Sequence, residues 1–375
     1  MIDLKEILVA NGITVLVMGF LLSCRRRNRE STGPQDRLYD GMCQVNLLGA
    51  LLETVSLLVD GKVIFAGRAI NFVSNGLSFL GTVSIGLLWC LYVDLRCRGD
   101  YEQMRRSIRF VIIPWAIEVV AILATLAGTG FLFSVSPDNV YRRGPGSAIG
   151  YVSLILYFAY SIYLVAHSHR QGIDLRFFPI QYFVGPCLAG VAVQYLFYGI
   201  TTSWISVAMA MTSVQMQTYA ENLYKDELSG LYNRRYLNSM LDKADATSRP
   251  LSGVMLDINS FKDINDNLGH RTGDRAICAM GNVLLRSIPS GAVAIRYAGD
   301  EFVVLLPGSN EEEARSTANA IAKGLADFNE SESEPFTLSA AMGYAQLKPG
   351  EDPETFLQNM DVRMYEAKRK FHCQH

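Results

Sequence analysis

The chain has 375 residues, of which 50% are hydrophobic and 19% charged, with a formal net charge of −2. That balance excludes a disordered chain, a collagen-like repeat and a disulfide-rich secreted scaffold, and it is too apolar for one ordinary soluble domain. The seven cysteines are scattered with no CxxC pair, which argues against a structural zinc site and a disulfide framework.

Charge divides the chain in two. Up to Tyr219 there are 17 Lys and Arg against 13 Asp and Glu, a net +4; from Ala220 onward the counts are 17 and 23, a net −6. An Arg-rich apolar half followed by an acidic half predicts an all-α polytopic membrane domain over 1–218, a linker or signalling helix over 219–232 and a soluble domain over 233–375. Crossing the hydrocarbon takes ~20 apolar residues. Runs of that kind lie at about 7–23, 41–59, 69–93, 109–133, 148–166, 181–199 and 203–218. The last two are separated by only four residues, so one long segment kinked at Pro186 is the competing reading.

The loops after the first, third and fifth runs carry twelve Arg, whereas the N-terminus and the alternate loops carry five Lys and Arg. Basic residues stay on the cytoplasmic side, which places the N-terminus outside. An odd number of spans then brings the second half into the cytoplasm, favouring seven over six. The first run follows Asp3, Lys5 and Glu6 and precedes Arg25 to Arg27, the pattern of an anchor and not of a cleavable signal. Two acids, Glu53 and Glu118, fall inside predicted spans. An ionisable group there needs a partner or a water-filled cavity, so they are candidates for lining a ligand or ion site.

Past the last run, Met216, Tyr219/Ala220 and Leu223 recur at helical spacing and suit pairing with a second copy. Gly230 breaks this pattern, and Asn233 is placed to cap a helix over about 234–246. A strand follows at 252–258, helices at 260–267 and 272–287, a hairpin of 292–297 with 301–307, a helix at 310–328, a strand near 336–346 and a helix at 354–370. Strand, helix, hairpin, helix, strand is the split βαβ plan of an α+β, ferredoxin-like fold with a mainly antiparallel sheet. That plan brings Asp257, at the first strand's end, to the same sheet edge as Asp300 and Glu301 at the hairpin tip. A carboxylate cluster with few nitrogen or sulfur donors suits a hard cation such as Mg²⁺, and Lys262, Lys368, Arg369 and Lys370 could meet phosphate. Together these are equipment for phosphoryl or nucleotidyl transfer.

The stretches DELSGLYNRR (226–235), LDINSFKDIND (256–266), GHRTGD (269–274), RYAGDEF (296–302) and YEAK (365–368) occur in the order of the GGDEF family, the diguanylate cyclases, which this half closely resembles across about 150 residues. The resemblance implies that a homodimer condenses two GTP molecules to cyclic di-GMP and two pyrophosphates, from a bacterial inner membrane with this domain in the cytoplasm. Asp257, Asp300 and the carbonyl of Ile258 are implied to hold Mg²⁺ or Mn²⁺. Glu301 joins them or helps deprotonate the attacking hydroxyl. Asn265 and Asp274 are implied to read guanine, Lys262 and Lys368 to hold phosphates, and Gly299 to let the hairpin backbone pass close to the nucleotide. Phe261, a further substrate-binding candidate, reads as packed under the substrate loop in preference to stacked on a base. No nucleic-acid partner is implied, and the receptor of the product is not identifiable.

The departures are Ala298 for the family's first glycine, Asn259 for the second acid of Asp-x-Asp, and Phe371-His372-Cys373 where the family has Gly-Arg-Asn. The family's inhibitory RxxD is replaced by Pro289-Ser290-Gly291-Ala292, so product inhibition through that site is not expected. Two readings follow: an active cyclase regulated by its membrane domain, or a degenerate domain that binds GTP or a partner. Asp263 and Asp266 read as solvated helix positions, and Glu311 to Glu313 as a favourable acidic first turn.

Overall fold

The computed structural model describes residues 4–27, 33–99, 101–170, 175, 177–178, 180–197, 201–247, 250–331 and 334–374. They form two compact units, Met1–Thr218 and Tyr219–His375.

The first unit is helical: α1 (Leu4–Arg27), α2 (Pro34–Val59), α3 (Gly67–Arg98), α4 (Tyr101–Val111), α5 (Ile113–Ala124), a short hairpin of β1 (Phe133–Val135) and β2 (Tyr141–Arg143), α6 (Ile149–Arg170), α7 (Gln181–Leu196) and α8 (Ser203–Tyr224). Among the described residues four helices, α1, α2, α3 and α6, are long and apolar enough to cross a membrane, and α4 with the helix that follows would make a fifth if that bent pair is one span. The bend of 41° falls at Ile112, beside Pro114 in the first turn of α5. A proline there is tolerated because its missing N–H would have had no partner. The predicted run 109–133 is therefore two helices, the first of them amphipathic. The runs at 181–199 and 203–218 fall on α7 and α8, which are not among the four; residues 198 and 199 lie outside the described residues.

Polar contacts tie the unit together at its Arg-rich end. Arg25 donates from Nε to Asp40 Oδ1 at 2.7 Å, from Nη2 to Asp36 Oδ1 at 2.6 Å and from Nη1 to Gln215 Oε1 at 3.0 Å, linking α1, α2 and α8. Tyr39 Oη donates to Met211 O at 2.8 Å, and Asn46 Nδ2 to Trp204 O at 3.2 Å. Of the two acids in the predicted spans, Glu53 accepts from Asn11 Nδ2, while Glu118 is fully buried with no hydrogen-bond partner among the described residues.

The second unit is built on β3 (Tyr232–Asn233), α9 (Arg234–Thr247), β4 (Leu251–Ile258), α10 (Phe261–Leu268), α11 (His270–Ser287), β5 (Val293–Ala298), β6 (Glu301–Pro307), α12 (Glu311–Glu330), β7 (Ala340–Leu347) and α13 (Pro353–Gln374). The sheet order is β3-β5-β6-β4-β7, antiparallel except where β3 lies parallel to β5. The four main strands follow the ferredoxin-like plan. Asn233 caps α9, its Oδ1 accepting from Arg235 N and Tyr236 N at 3.0 and 3.3 Å. The acidic turn of α12 holds a reciprocal cap between Asn310 and Glu313.

Strand periodicity sends alternate side chains to opposite faces. Val254, Leu256 and Ile258 of β4 and Phe302, Val304 and Leu306 of β6 fill one core with residues of α11 and α12. The other β4 set, Gly253, Met255 and Asp257, faces α13. A Cβ on Gly253 would lie 3.0 Å from Met360 Sδ and 3.2 Å from Phe356. On β7 the residues of this face are Ala341, Gly343 and Ala345, all small. A Cβ on Gly343 would lie 2.1 Å from Met360 O and 2.3 Å from Met364 N, so α13 rests directly on strand backbone. Gly343→Val is expected to force α13 off the sheet and destabilise the domain by at least roughly 1–3 kcal/mol, the usual cost of overpacking. Thermal unfolding reads this as a lowered Tm with faster proteolysis after 352.

Candidate active site

Pairing brings the acids together. Asp257 and Glu301 are direct partners in the β4–β6 ladder, so their side chains share the α13 face, and Asp257 is also the partner of Ala341 on β7. Asp300 sits in the turn before β6 and accepts from Ile258 N at 3.2 Å through its carbonyl, which ties the hairpin tip to the end of β4. Asp257 is 6% exposed, and Lys368 Nζ lies 2.6 Å from its Oδ1. Lys368 is one helical turn beyond Met364, where Gly343 lets the helix approach the sheet. A lysine expected at phosphate thus neutralises the buried carboxylate.

Charge crowding is visible in the titration of the acids. Half-burial and then the nearby Asp257 push the carboxyl of Asp300 above the ordinary range, with Lys368 and Arg296 acting in opposition. Burial, Asp257 and Asp300 do the same to Glu301. No three His, Cys, Asp or Glu side chains among the described residues are gathered closely enough to hold a metal as they stand. The donor chemistry nevertheless fits a hard divalent cation, because the three acids carry a charge excess that a single lysine offsets only in part.

The substrate-contact candidates divide. Lys262 and Asp274 are exposed, Asn265 is half-buried, and Gly299 has a φ of 48° in the turn, open to solvent. A Cβ on Gly273 would lie 2.1 Å from Asn265 Oδ1, so this glycine lets α10 and α11 close together and sets Asn265 beside the start of α11, next to Asp274. Phe261 packs against the hydrophobic core. Asp263, Asp266, Arg369 and Lys370 are exposed. Asn259 is 6% exposed; its N and Nδ2 donate to Ser339 O and Oγ at 2.9 and 3.1 Å, and its Oδ1 has no partner among the described residues. The side chain of His372 lies outside the described residues.

One pair was not anticipated. Asp226 Oδ1 accepts from Ser229 N, Ser229 Oγ and Arg296 Nη1 at 2.8, 2.7 and 3.0 Å, and Arg296 Nε donates to Gly299 O at 2.9 Å. The first motif is thus hooked to the hairpin that carries Asp300. Partial burial opposes ionisation of Asp226, but the Ser229 and Arg296 bonds outweigh it and hold the carboxyl below its ordinary value. The signal was present, since both residues lie inside recognised stretches.

Residues 223–372 match the family model described as "Diguanylate cyclase, GGDEF domain". "Diguanylate cyclase DosC" of Escherichia coli is 32% identical over 151 residues, 39% of this chain and 33% of the relative. "Probable diguanylate cyclase DgcC" of the same organism is 29% identical over 46% of this chain and 48% of the relative. The solved coiled coil and GGDEF domain of DgcB from Caulobacter crescentus, in complex with c-di-GMP, is 25% identical, with a TM-score of 0.38, over 42% of this chain and 86% of that one. The chain spans about a third to a half of the length of these curated relatives.

The raised carboxyls have a stability consequence with a definite sign. Between the ordinary carboxylate value and the raised folded one, the folded state binds more protons than the unfolded, so stability falls as pH rises through that window. Above the raised folded value the penalty is complete. Asp300→Asn is therefore expected to raise Tm at pH 7, with the gain shrinking on acidification below the ordinary carboxylate range; a lowered Tm at pH 7 would contradict the crowding. Asp226→Ala, which leaves Arg296 without its partner, is expected to cost about 1–3 kcal/mol in denaturant unfolding. On motif order, sheet plan and family match together, residues 223–372 form a domain of the GGDEF diguanylate cyclase family.

Proposed function

We propose that the chain is a membrane-bound diguanylate cyclase, acting as a homodimer in which each protomer holds one GTP. The observation that carries this reading is the placing of Asp257 and Glu301 as direct strand partners, with Asp300 in the adjoining turn, in a domain of this family. The 3′-hydroxyl of one GTP attacks the α-phosphorus of the other; a P–O bond forms, the bond to the β-phosphate breaks and pyrophosphate leaves. The same exchange in the opposite sense closes the ring. Glu301, its carboxyl raised by burial and like charge, is a stronger base than an ordinary carboxylate and is suited to receive the hydroxyl proton. Asn265 and Asp274 would bind the guanine edge, where a carboxylate accepts from N1–H and N2–H₂ and disfavours adenine. Lys262 and Lys368 would hold phosphates, with Gly299 giving the nucleotide close access to the hairpin.

Asp257, Asp300, Glu301 and the carbonyl of Ile258 would hold Mg²⁺ or Mn²⁺, which when bound offsets charge on the reacting phosphates. Each protomer supplies half a reaction, so output depends on the alignment of two copies. The exposed stripe of Met216, Tyr219 and Leu223 on α8 supports pairing through that helix. The apolar helices, four or five of them long enough to cross a membrane, and the Arg-rich loops between the apolar runs support a seat in a bacterial inner membrane, and on the seven-span reading the GGDEF domain lies in the cytoplasm. A second reading, a GTP-binding module without turnover, is favoured by Asn259, whose amide is committed to Ser339 and brings no charge to the acids.

Nucleotide analysis of the detergent-solubilised full chain with GTP and Mg²⁺ tests the two. Cyclic di-GMP is expected from the native protein, reduced by roughly 10²-fold or more in Asp300→Ala/Glu301→Ala and abolished by EDTA. Mg²⁺-dependent GTP binding without product, persisting when dimerisation is forced, would establish the second reading. With no RxxD at 289–292, added cyclic di-GMP is expected to leave the initial rate unchanged.

A further inference from the structure

The helical unit contains a cavity of about 190 Å³ at the end opposite Arg25 to Arg27. It is walled by the last turns of α2, the first turns of α3, α6 and α8, the end of α7, and β2. On the charge bias between loops, this is the outward-facing end.

The wall is polar in a specific way. Glu53 and Asp60 both line it, and each has a carboxylate oxygen, Oε1 and Oδ2 respectively, that accepts no hydrogen bond among the described residues. Asp60 is held in place by its other oxygen, which accepts from Asn71 Nδ2 and Tyr141 N at 2.9 and 2.8 Å. Two further lining residues, Ser78 and Thr201, carry buried hydroxyls without partners among the described residues. Tyr141, Tyr151 and Trp204 add aromatic rings, and Arg143 a guanidinium. Buried polar groups normally have partners, so two buried hydroxyls left without any, beside two half-buried carboxylates, are not what packing alone produces. Carboxylates with aromatic rings favour an ammonium group. The volume is smaller than that of a pocket for a drug-sized molecule.

We infer that this cavity is an extracytoplasmic binding site for a small amine-bearing solute of about amino-acid size, its ammonium held by Glu53 and Asp60. Ser203 and Trp204, at the start of α8, line the site, so occupancy bears directly on the helix that leads to the GGDEF domain. The inference rests on the membrane-sensor part of the proposed function but not on turnover.

The test is the Tm of the detergent-solubilised full chain titrated with the standard amino acids, ethanolamine, putrescine and choline, with acetate and glycerol as amine-free controls. At least one amine is expected to raise Tm progressively with concentration. Glu53→Gln is expected to weaken that response by roughly tenfold or more, the loss of one charge-assisted hydrogen bond. Ser147→Phe, which places a ring in the cavity, is expected to remove it. Asp300→Ala is expected to retain it, so failure of the cyclase reading and failure of this site are read separately. No response to any amine, an equal response to acetate, or a response undiminished in both cavity variants would overturn the assignment.

Discussion

The GGDEF domain is organised around a buried carboxylate that the fold cannot avoid. Asp257 ends a strand whose eight residues are all buried, and the register sets it directly opposite Glu301 with Asp300 in the next turn. Like charges in a half-dry environment repel strongly. Lys368 offsets part of that repulsion, and it can do so only because Ala341, Gly343 and Ala345 let α13 lie on the strand backbone. Small residues at the sheet edge, the placement of the last helix and the charge state of the site are therefore one arrangement. It is held at the expense of stability, as sites that gather like charge generally are.

In the helical unit the ordering principle is polar satisfaction. Arg25 reaches two carboxylates and an amide on two other helices, and Asn139, in a left-handed conformation at φ 62°, donates from Nδ2 to Val59 O and Lys62 O at 2.6 and 3.0 Å, clipping the β1–β2 hairpin to the end of α2. Glu118 breaks the rule, buried beside Gly150 and unpartnered among the described residues. Helices with apolar surfaces gain little from burying them against one another in lipid, so such contacts matter more there than in a soluble bundle.

Much of the second domain was legible because its signals are local. The apolar runs of β4 and β6, the cap at Asn233 and the acidic first turn of α12 each follow from neighbours in sequence. The strand near 336 begins at Ala340 instead; Phe336 and Leu338 pack into the core ahead of the ladder. Non-local facts were not legible. The two-residue β3 exists only because β5 offers a parallel edge, and the Asp226–Arg296 pair joins positions seventy apart in sequence. Nor could spacing tell that Lys368 meets Asp257, since that depends on a missing Cβ at Gly343. In the helical unit, hydropathy located the runs but not the bend at Ile112 or the hairpin at 133–143, which arise from proline placement and backbone pairing.

The lysine on Asp257 has a consequence for the order in which ligands assemble. On the proposed reading, a cation binding at Asp257 Oδ1 would displace Lys368 from that oxygen, and the displaced ammonium would then need an anion. A nucleotide polyphosphate is such an anion, and by itself it would pull the same lysine away and leave Asp257 exposed to its neighbours' charge. Each ligand thus removes an obstacle to the other, and by linkage the coupling is reciprocal. On the proposed reading the domain would bind cation and nucleotide as a joint event, so that neither one alone, at cellular levels, would hold the site half-assembled.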